Sequence, residues 1–359
     1  MPMKIHRLTL HRVQVPLTVP YKLSLATIRA FDLVLVEALG PEGETGLGEA
    51  AIVTGYTPET IDQSWSLACE LGGLMVGTSC ESAKESAAAH HARAPFMVSA
   101  LTTAVEMLEG SPLLRVTENQ RVPLLAIMHA SEPGKIEAEV ERHIADGYGV
   151  IKVKVGFDVQ PDLERVRRIQ RATANRAQLR LDGNQGYSLE EARVFAAALE
   201  PEGIELLEQP CAAGDWDAAV AVAGISPVPM MLDESIYDIS DVEKAADLGA
   251  AAYIKFKLMK AGGLARLGKA LERVRECGME PVLGNGVAGE IGCWMEACIA
   301  RTHIRNAGEM NGFLKPRAGL LTQGLSVERG ALVLEPGFAP RLDPAVVAEY
   351  AVDTAHFGE

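Results

Sequence analysis

The sequence predicts an α/β protein: a closed β/α barrel preceded by a smaller α+β unit. Three observations carry this. From about residue 121 to 310, short apolar runs alternate with amphipathic helical stretches, the pattern of a parallel sheet buried on both faces. Eight such runs, spaced about 25 residues apart, fit a closed barrel of ~200 residues better than an open sheet. No Gly-x-Gly-x-x-Gly follows the first run, as a doubly wound nucleotide-binding sheet would show. Before residue 121 strands come first and helices after, the order of an α+β unit.

In chain order, residues 4–16 and 31–39 are β-branched-rich runs with partial alternation, joined by a polar and aromatic loop over 21–29. Residues 42–46 form a turn and 46–53 a third strand. An Ala-rich helical pattern fills 58–109. The barrel runs are 122–128, 150–155, 179–182, 204–208, 229–233, 252–257, 280–283 and 304–309. Helices are expected at 134–146, 163–174, 188–199, 240–248 and 263–277.

Composition limits the partners. The 359 residues carry a formal net charge of −14, which argues against nucleic acid and against an anionic membrane surface. With 48% hydrophobic residues the chain has ample apolar material for a core. No apolar stretch reaches the ~18 residues that a membrane span needs. Residues 1–16 are broken by Lys4, His6, Arg7, His11 and Arg12 and do not read as a signal peptide. The six cysteines are scattered and form no Cys-x-x-Cys, so free thiols in a reducing cytoplasm are expected.

Active-site groups of a β/α barrel project from the C-terminal ends of its strands. Reading those ends alone yields Lys152 and Lys154, then Asp182 with Asn184, then Glu208, then Asp233, then Lys255 and Lys257. Three carboxylates on three adjacent strands converge at the barrel mouth, and such a cluster calls for a hard cation. Mg²⁺ suits all-oxygen ligation, with Mn²⁺ as the alternative. The lysines flank the acids on both sides. A lysine beside a like charge, and buried, is expected to have a depressed pKa and to serve as a base. The chemistry inferred is removal of a proton next to a carboxylate.

The segments Ile151-Lys-Val-Lys-Val-Gly156, Leu181-Asp-Gly-Asn-Gln-Gly186, Leu206-Leu-Glu-Gln-Pro210, Leu232-Asp-Glu-Ser235 and Ile254-Lys-Phe-Lys-Leu-Met-Lys-Ala-Gly-Gly263 resemble the enolase superfamily, and within it the muconate-lactonizing subgroup. The resemblance spans the whole chain. It implies a modified TIM barrel, (β/α)7β, over residues 121–324, under an α+β capping domain formed by 1–120 and completed by 325–359. It implies Asp182, Glu208 and Asp233 as Mg²⁺ ligands, and Lys154 and Lys257 as acid and base on opposite faces of the substrate. Lys152 would orient the substrate carboxylate and depress the pKa of Lys154. Asn184 and Glu234 would support the ligands through hydrogen bonds. Two cap loops would read the rest of the substrate, which nominates Tyr21, Arg29 and Tyr56. Lys255, Asn285, Glu309 and Asn311 would add contacts from the barrel. Dipeptide epimerases of this subgroup resemble one another in an Asp-x-Asp after the last strand, where this chain has Glu309-x-Asn311. The resemblance also implies a symmetric homo-oligomer.

Two opposed lysines lead to a 1,1-proton transfer on a small amino-acid-derived carboxylate, a racemisation or epimerisation through an enolate. Cycloisomerisation of a muconate-like diacid and dehydration of a hydroxylated imino or sugar acid use the same first step. A Schiff-base aldolase, or a barrel that binds without catalysis, remains a reading from another class. Lys260 is expected to be peripheral, His129 to face the pocket or serve structure, and His90 and His91 to lie on the surface.

Overall fold

In the computed structural model, residues 2–22, 27–55 and 57–358 are described. The strands are β1 (Arg7–Lys22), β2 (Thr27–Leu39), β3 (Thr45–Ile52), β4 (Gln120–Pro123), β5 (Ala126–Met128), β6 (Val150–Lys154), β7 (Gln178–Asp182), β8 (Ile204–Glu208), β9 (Met230–Leu232), β10 (Tyr253–Phe256), β11 (Glu280–Leu283), β12 (Ser326–Glu328), β13 (Ala331–Leu334) and β14 (Ala351–Gly358).

The cap is a four-stranded antiparallel sheet in the order β14-β1-β2-β3. Both of its faces are covered, which explains why its strands alternate only in part. Leu8, Leu10, Val34 and Val36 pack with the helices Ile61–Met75, Cys80–Ala88 and Pro95–Leu108. Val13, Val15, Leu33 and Leu35, of opposite parity along their strands, join the core shared with the barrel. The cap is therefore seated on the barrel by one face of its own sheet.

The barrel strands β5 to β11 form one parallel sheet in sequence order. Helices lie between them, among them Val159–Thr173 and Leu264–Glu276, and the helix Glu290–His303 follows β11. Two expectations are corrected here. The run 122–128 is divided: β4 pairs antiparallel with β13, outside the barrel, and only β5 joins the parallel sheet. The run 304–309 is not a strand; its last residues close the barrel by three backbone bonds. Leu125 N–H donates to the Gly308 carbonyl, Gly308 N–H to Pro123 and Glu309 N–H to Leu283. The backbones approach closely at this seam, where a Cβ on Gly284 (φ +133°) would lie 2.5 Å from the Glu309 nitrogen. Glycine meets both the close approach and the backbone angle. Among the described residues no helix is long and apolar enough to cross a membrane.

Candidate active site

Parallel register brings the chemistry to one level. Lys154, Asp182 and Glu208 are successive partners across β6, β7 and β8, and Asp233 directly follows β9. All the strand-end groups named from the sequence converge. Lys152 Nζ lies 2.8 Å from Asp182, 2.9 Å from Glu208 and 2.8 Å from Glu309. Lys255 Nζ contacts Glu208 at 3.1 Å, Asp233 at 3.6 Å, and Glu309. Lys154 pairs with Asp182 at 2.5 Å and with the Asn184 side chain. Lys257 pairs with Asp233 at 2.8 Å. Asn184 in turn donates to Glu234 at 3.0 Å. Apart from Glu208, these groups line a single cavity.

The expected depression of the lysine pKa values is not what the site produces. Burial pulls Lys154 down, but Asp182 opposes it; despite the like charge of Lys152, the balance leaves Lys154 above the ordinary lysine value. Lys257 is likewise held high: burial lowers it, and Asp233 and Glu234 together outweigh that. Against burial, Lys257 and Lys260 hold Asp233 below the carboxylate range, and Lys152 and Lys255 do the same for Glu309. Glu208 is pushed up by burial and by neighbouring Asp182. Burial raises Glu234 to about 7, with Asp233 and Asp182 adding to it.

Among the described residues, no three carboxylate, imidazole or thiol groups close on one point at metal-ligand spacing. Lysine ammonium groups lie between the acids instead. The donor set nevertheless fits a hard divalent cation: Asp182, Glu208 and Asp233 are all at most 2% exposed and supply only oxygen. Oε2 of Glu208 and of Glu234 is buried without a hydrogen-bond partner, although the Glu208 atom does lie in the ion pair with Lys152.

The specificity residues divide. Tyr21 and Asn285 line the cavity. Asn285 accepts from Val287 N–H and donates to the Met259 sulfur. Three expectations fail or move. Arg29 sits exposed on β2 and is not part of the cavity wall. Asn311 is turned aside, donating to the Leu125 carbonyl and accepting from Lys315. Glu309 reaches the cavity but is already gripped by two lysines. Tyr56 lies outside the described residues.

Lys260 corrects the peripheral reading. It is 2% exposed and donates to an Asp233 carboxylate oxygen (2.9 Å), to the Asp233 carbonyl (2.6 Å) and to the Ile236 carbonyl (3.0 Å). Its spacing of three from Lys257, on one turn of helix, was the available signal. Phe96, Val53 and Met259 complete an apolar wall that the sequence reading missed. Lys315, also missed, stands 4.7 Å from the Tyr21 ring centre and donates to the Gly286 carbonyl at 2.6 Å.

Fold and site together describe a capped β/α barrel whose mouth carries carboxylates between opposed lysines. The family model described as enolase C-terminal domain-like matches residues 135–346. The chain is 28% identical over 303 residues to the L-Ala-D/L-Glu epimerase of Bacillus subtilis, covering 81% of this chain and 83% of that protein. It is 30% identical over 274 residues to the L-Lys-D/L-Arg epimerase of Methylococcus capsulatus, covering 73% and 77%. Its fold matches the crystal structure of a dipeptide epimerase from Enterococcus faecalis complexed with Mg and L-Leu-L-Tyr. The TM-score is 0.84 at 25% identity, with 95% of this chain and 98% of that chain covered. The chain belongs to the enolase superfamily, in its mandelate racemase and muconate-lactonizing subgroup. It is an enzyme of the racemase and epimerase class of isomerases.

Proposed function

We propose that this enzyme racemises or epimerises an amino-acid-derived carboxylate, with Mg²⁺ held by Asp182, Glu208 and Asp233. The observation that carries the reading is the pair of lysines, Lys154 and Lys257, entering one cavity from the C-terminal ends of β6 and β10, with β7, β8 and β9 between them. As a free amine, one lysine takes the α-proton, and the electron pair of the C–H bond passes into the enolate. The other, as an ammonium, returns a proton to the opposite face. Lys152 lines the cavity and would orient the substrate carboxylate once Mg²⁺ takes over its partners Asp182 and Glu208. Asn184 accepts from Lys154, Tyr21 lines the same cavity, and Lys260 holds Asp233. Bound by the three carboxylates, Mg²⁺ supplies positive charge against the negative charge that develops on the substrate.

Glu309 is neutralised by Lys152 and Lys255, so it is not free to hold a substrate ammonium, and Asn311 faces away. An N-acylated amino acid suits this cavity better than a dipeptide with a free N-terminus. The same neutralisation favours a second reading, cycloisomerisation of a muconate-like diacid. The six thiols are free, in keeping with a cytoplasmic enzyme, and a homo-oligomer is the assembly we expect.

The test is a ¹H NMR panel in D₂O with Mg²⁺, covering N-succinyl-L-arginine, L-Ala-L-Glu and cis,cis-muconate. Deuterium entry at the α-carbon with inversion, abolished by chelation and restored by Mg²⁺, is the expected result for the acylated amino acid. Lactone formation from muconate without any inversion in the panel would replace this reading with the second.

A further inference from the structure

Behind each lysine, on the helix side of the barrel wall, stands one charged residue that the proton-transfer reading leaves unused. Behind Lys154 it is Arg165, on the helix Val159–Thr173. Its guanidinium donates to the Lys154 carbonyl at 2.9 Å and twice to the Ala130 carbonyl, at 3.1 and 3.0 Å. A longer bond reaches Met128 at 3.4 Å. Arg165 thus ties the end of β6 to the end of β5. Less than one turn earlier, the Asp162 carboxylate accepts from the N–H groups of Gly156, Phe157 and Asp158 and from the Tyr187 hydroxyl. The chain leaving Lys154 is therefore tied down as well.

Behind Lys257 it is Glu296, on the helix Glu290–His303. Lys257 precedes the one-turn helix Leu258–Ala261 and makes no side-chain cap bond to it. Glu296 Oε1 accepts the Leu258 N–H at 2.9 Å, in place of such a cap. The Glu296 side chain is 2% exposed, and its Oε2 has no hydrogen-bond partner among the described residues. It lines a small cavity between cap and barrel that shares Met259, Asn285 and Val287 with the substrate cavity. Both residues act through hydrogen bonds to the backbone beside one lysine; those of the Arg165 guanidinium are charge-assisted, and such bonds are about twice as strong as neutral ones. A misplacement of about 1 Å in a reacting group can cost about 10²-fold in rate.

We propose that Arg165 is the positioning residue of Lys154 and Glu296 that of Lys257, each acting on its own lysine and not on the other. The proposal rests on the two-lysine reading for its catalytic meaning, but its test needs no substrate. Competitive acetylation of the Mg²⁺-loaded full chain with acetic anhydride, followed across pH and read by peptide mass spectrometry, reports Lys154 and Lys257 separately. Arg165→Met should change Lys154 reactivity by about threefold or more, equivalent to about half a pKa unit, and leave Lys257 as in the wild type. Glu296→Ala should do the reverse. Glu296→Gln retains a carbonyl oxygen for Leu258 N–H and should return Lys257 toward wild-type reactivity. If Arg165→Met or Glu296→Ala does not fold, Arg165→Lys and Glu296→Asp carry the comparison, since each shifts its charged group without removing it. Equal changes at both lysines, or none at either, would overturn the proposal. The racemase reading stands or falls separately, on the deuterium panel.

Discussion

Lys154 and Lys257 meet in one cavity but are delivered to it differently. Lys154 is the last residue of β6 and is paired through Asp182 into the barrel ladder. Lys257 lies one residue beyond β10, whose pairing with β11 ends at Phe256 and Leu283. A strand end is located by register, because each inter-strand bond fixes the next. A residue past the ladder has no such constraint and is located by what caps it. The inner lysines do not differ in this way: Lys152 and Lys255 each touch three buried carboxylates and are at most 2% exposed. The site thus has a symmetric floor and asymmetric walls.

The largest effect should come from the walls themselves. Lys154→Ala and Lys257→Ala should each slow inversion by about 10³-fold. Each should still exchange the α-proton of one stereoisomer with solvent, and not the same one. Exchange lost from both stereoisomers in either variant would mean that the lysines do not divide the two faces. The floor comes next. Lys152→Met and Lys255→Met should each cost about 3 kcal/mol of stability without metal, because each leaves buried carboxylates short of a partner. Urea unfolding should give similar values for the two, and a large gap would show that the floor is not symmetric.

An effect of comparable size, spread over a pH window, concerns Glu296. Burial raises Glu296 from 4.5 to about 7, so the folded state binds more protons than the unfolded state within that window. This contribution to stability is complete below 4.5 and is lost as pH rises through about 7, a loss of up to about 3 kcal/mol. Glu296→Gln cannot ionise, and its urea midpoint should fall less across that window than the wild type's. Parallel curves would show that Glu296 does not titrate there.

The extent to which the site could be read from the chain follows the same division. Asp182, Glu208, Asp233, Lys154 and Lys257 were all identifiable because strand-end residues recur once per β/α unit and parallel register then aligns them. The cap strands were also legible, although their ends were not, since apolar residues on both faces blur the alternation. Arg29 falls outside the cavity because the expected loop is already strand at Thr27 and its side chain faces solvent; Asn311 turns aside because a residue past the last strand carries no register. Nothing in its local pattern says which way its side chain turns. Lys260 was misjudged because a lysine near a helix start is ordinarily solvated, and only the packing of the helix Leu258–Ala261 against Asp233 buries it.

Local sequence was enough to specify most of the alternation of strands and helices in the barrel, and with it which carboxylates and lysines stand at the barrel mouth. Those depend on periodicity and on residue types a few positions apart. Tertiary structure alone decided the charge state and freedom of those groups. Glu309 is more than 150 residues from Lys152 in the chain, and its capture by Lys152 and Lys255 exists only once the barrel has closed. Electrostatic energy depends on distance and burial, and neither is written in the spacing of residues along a chain.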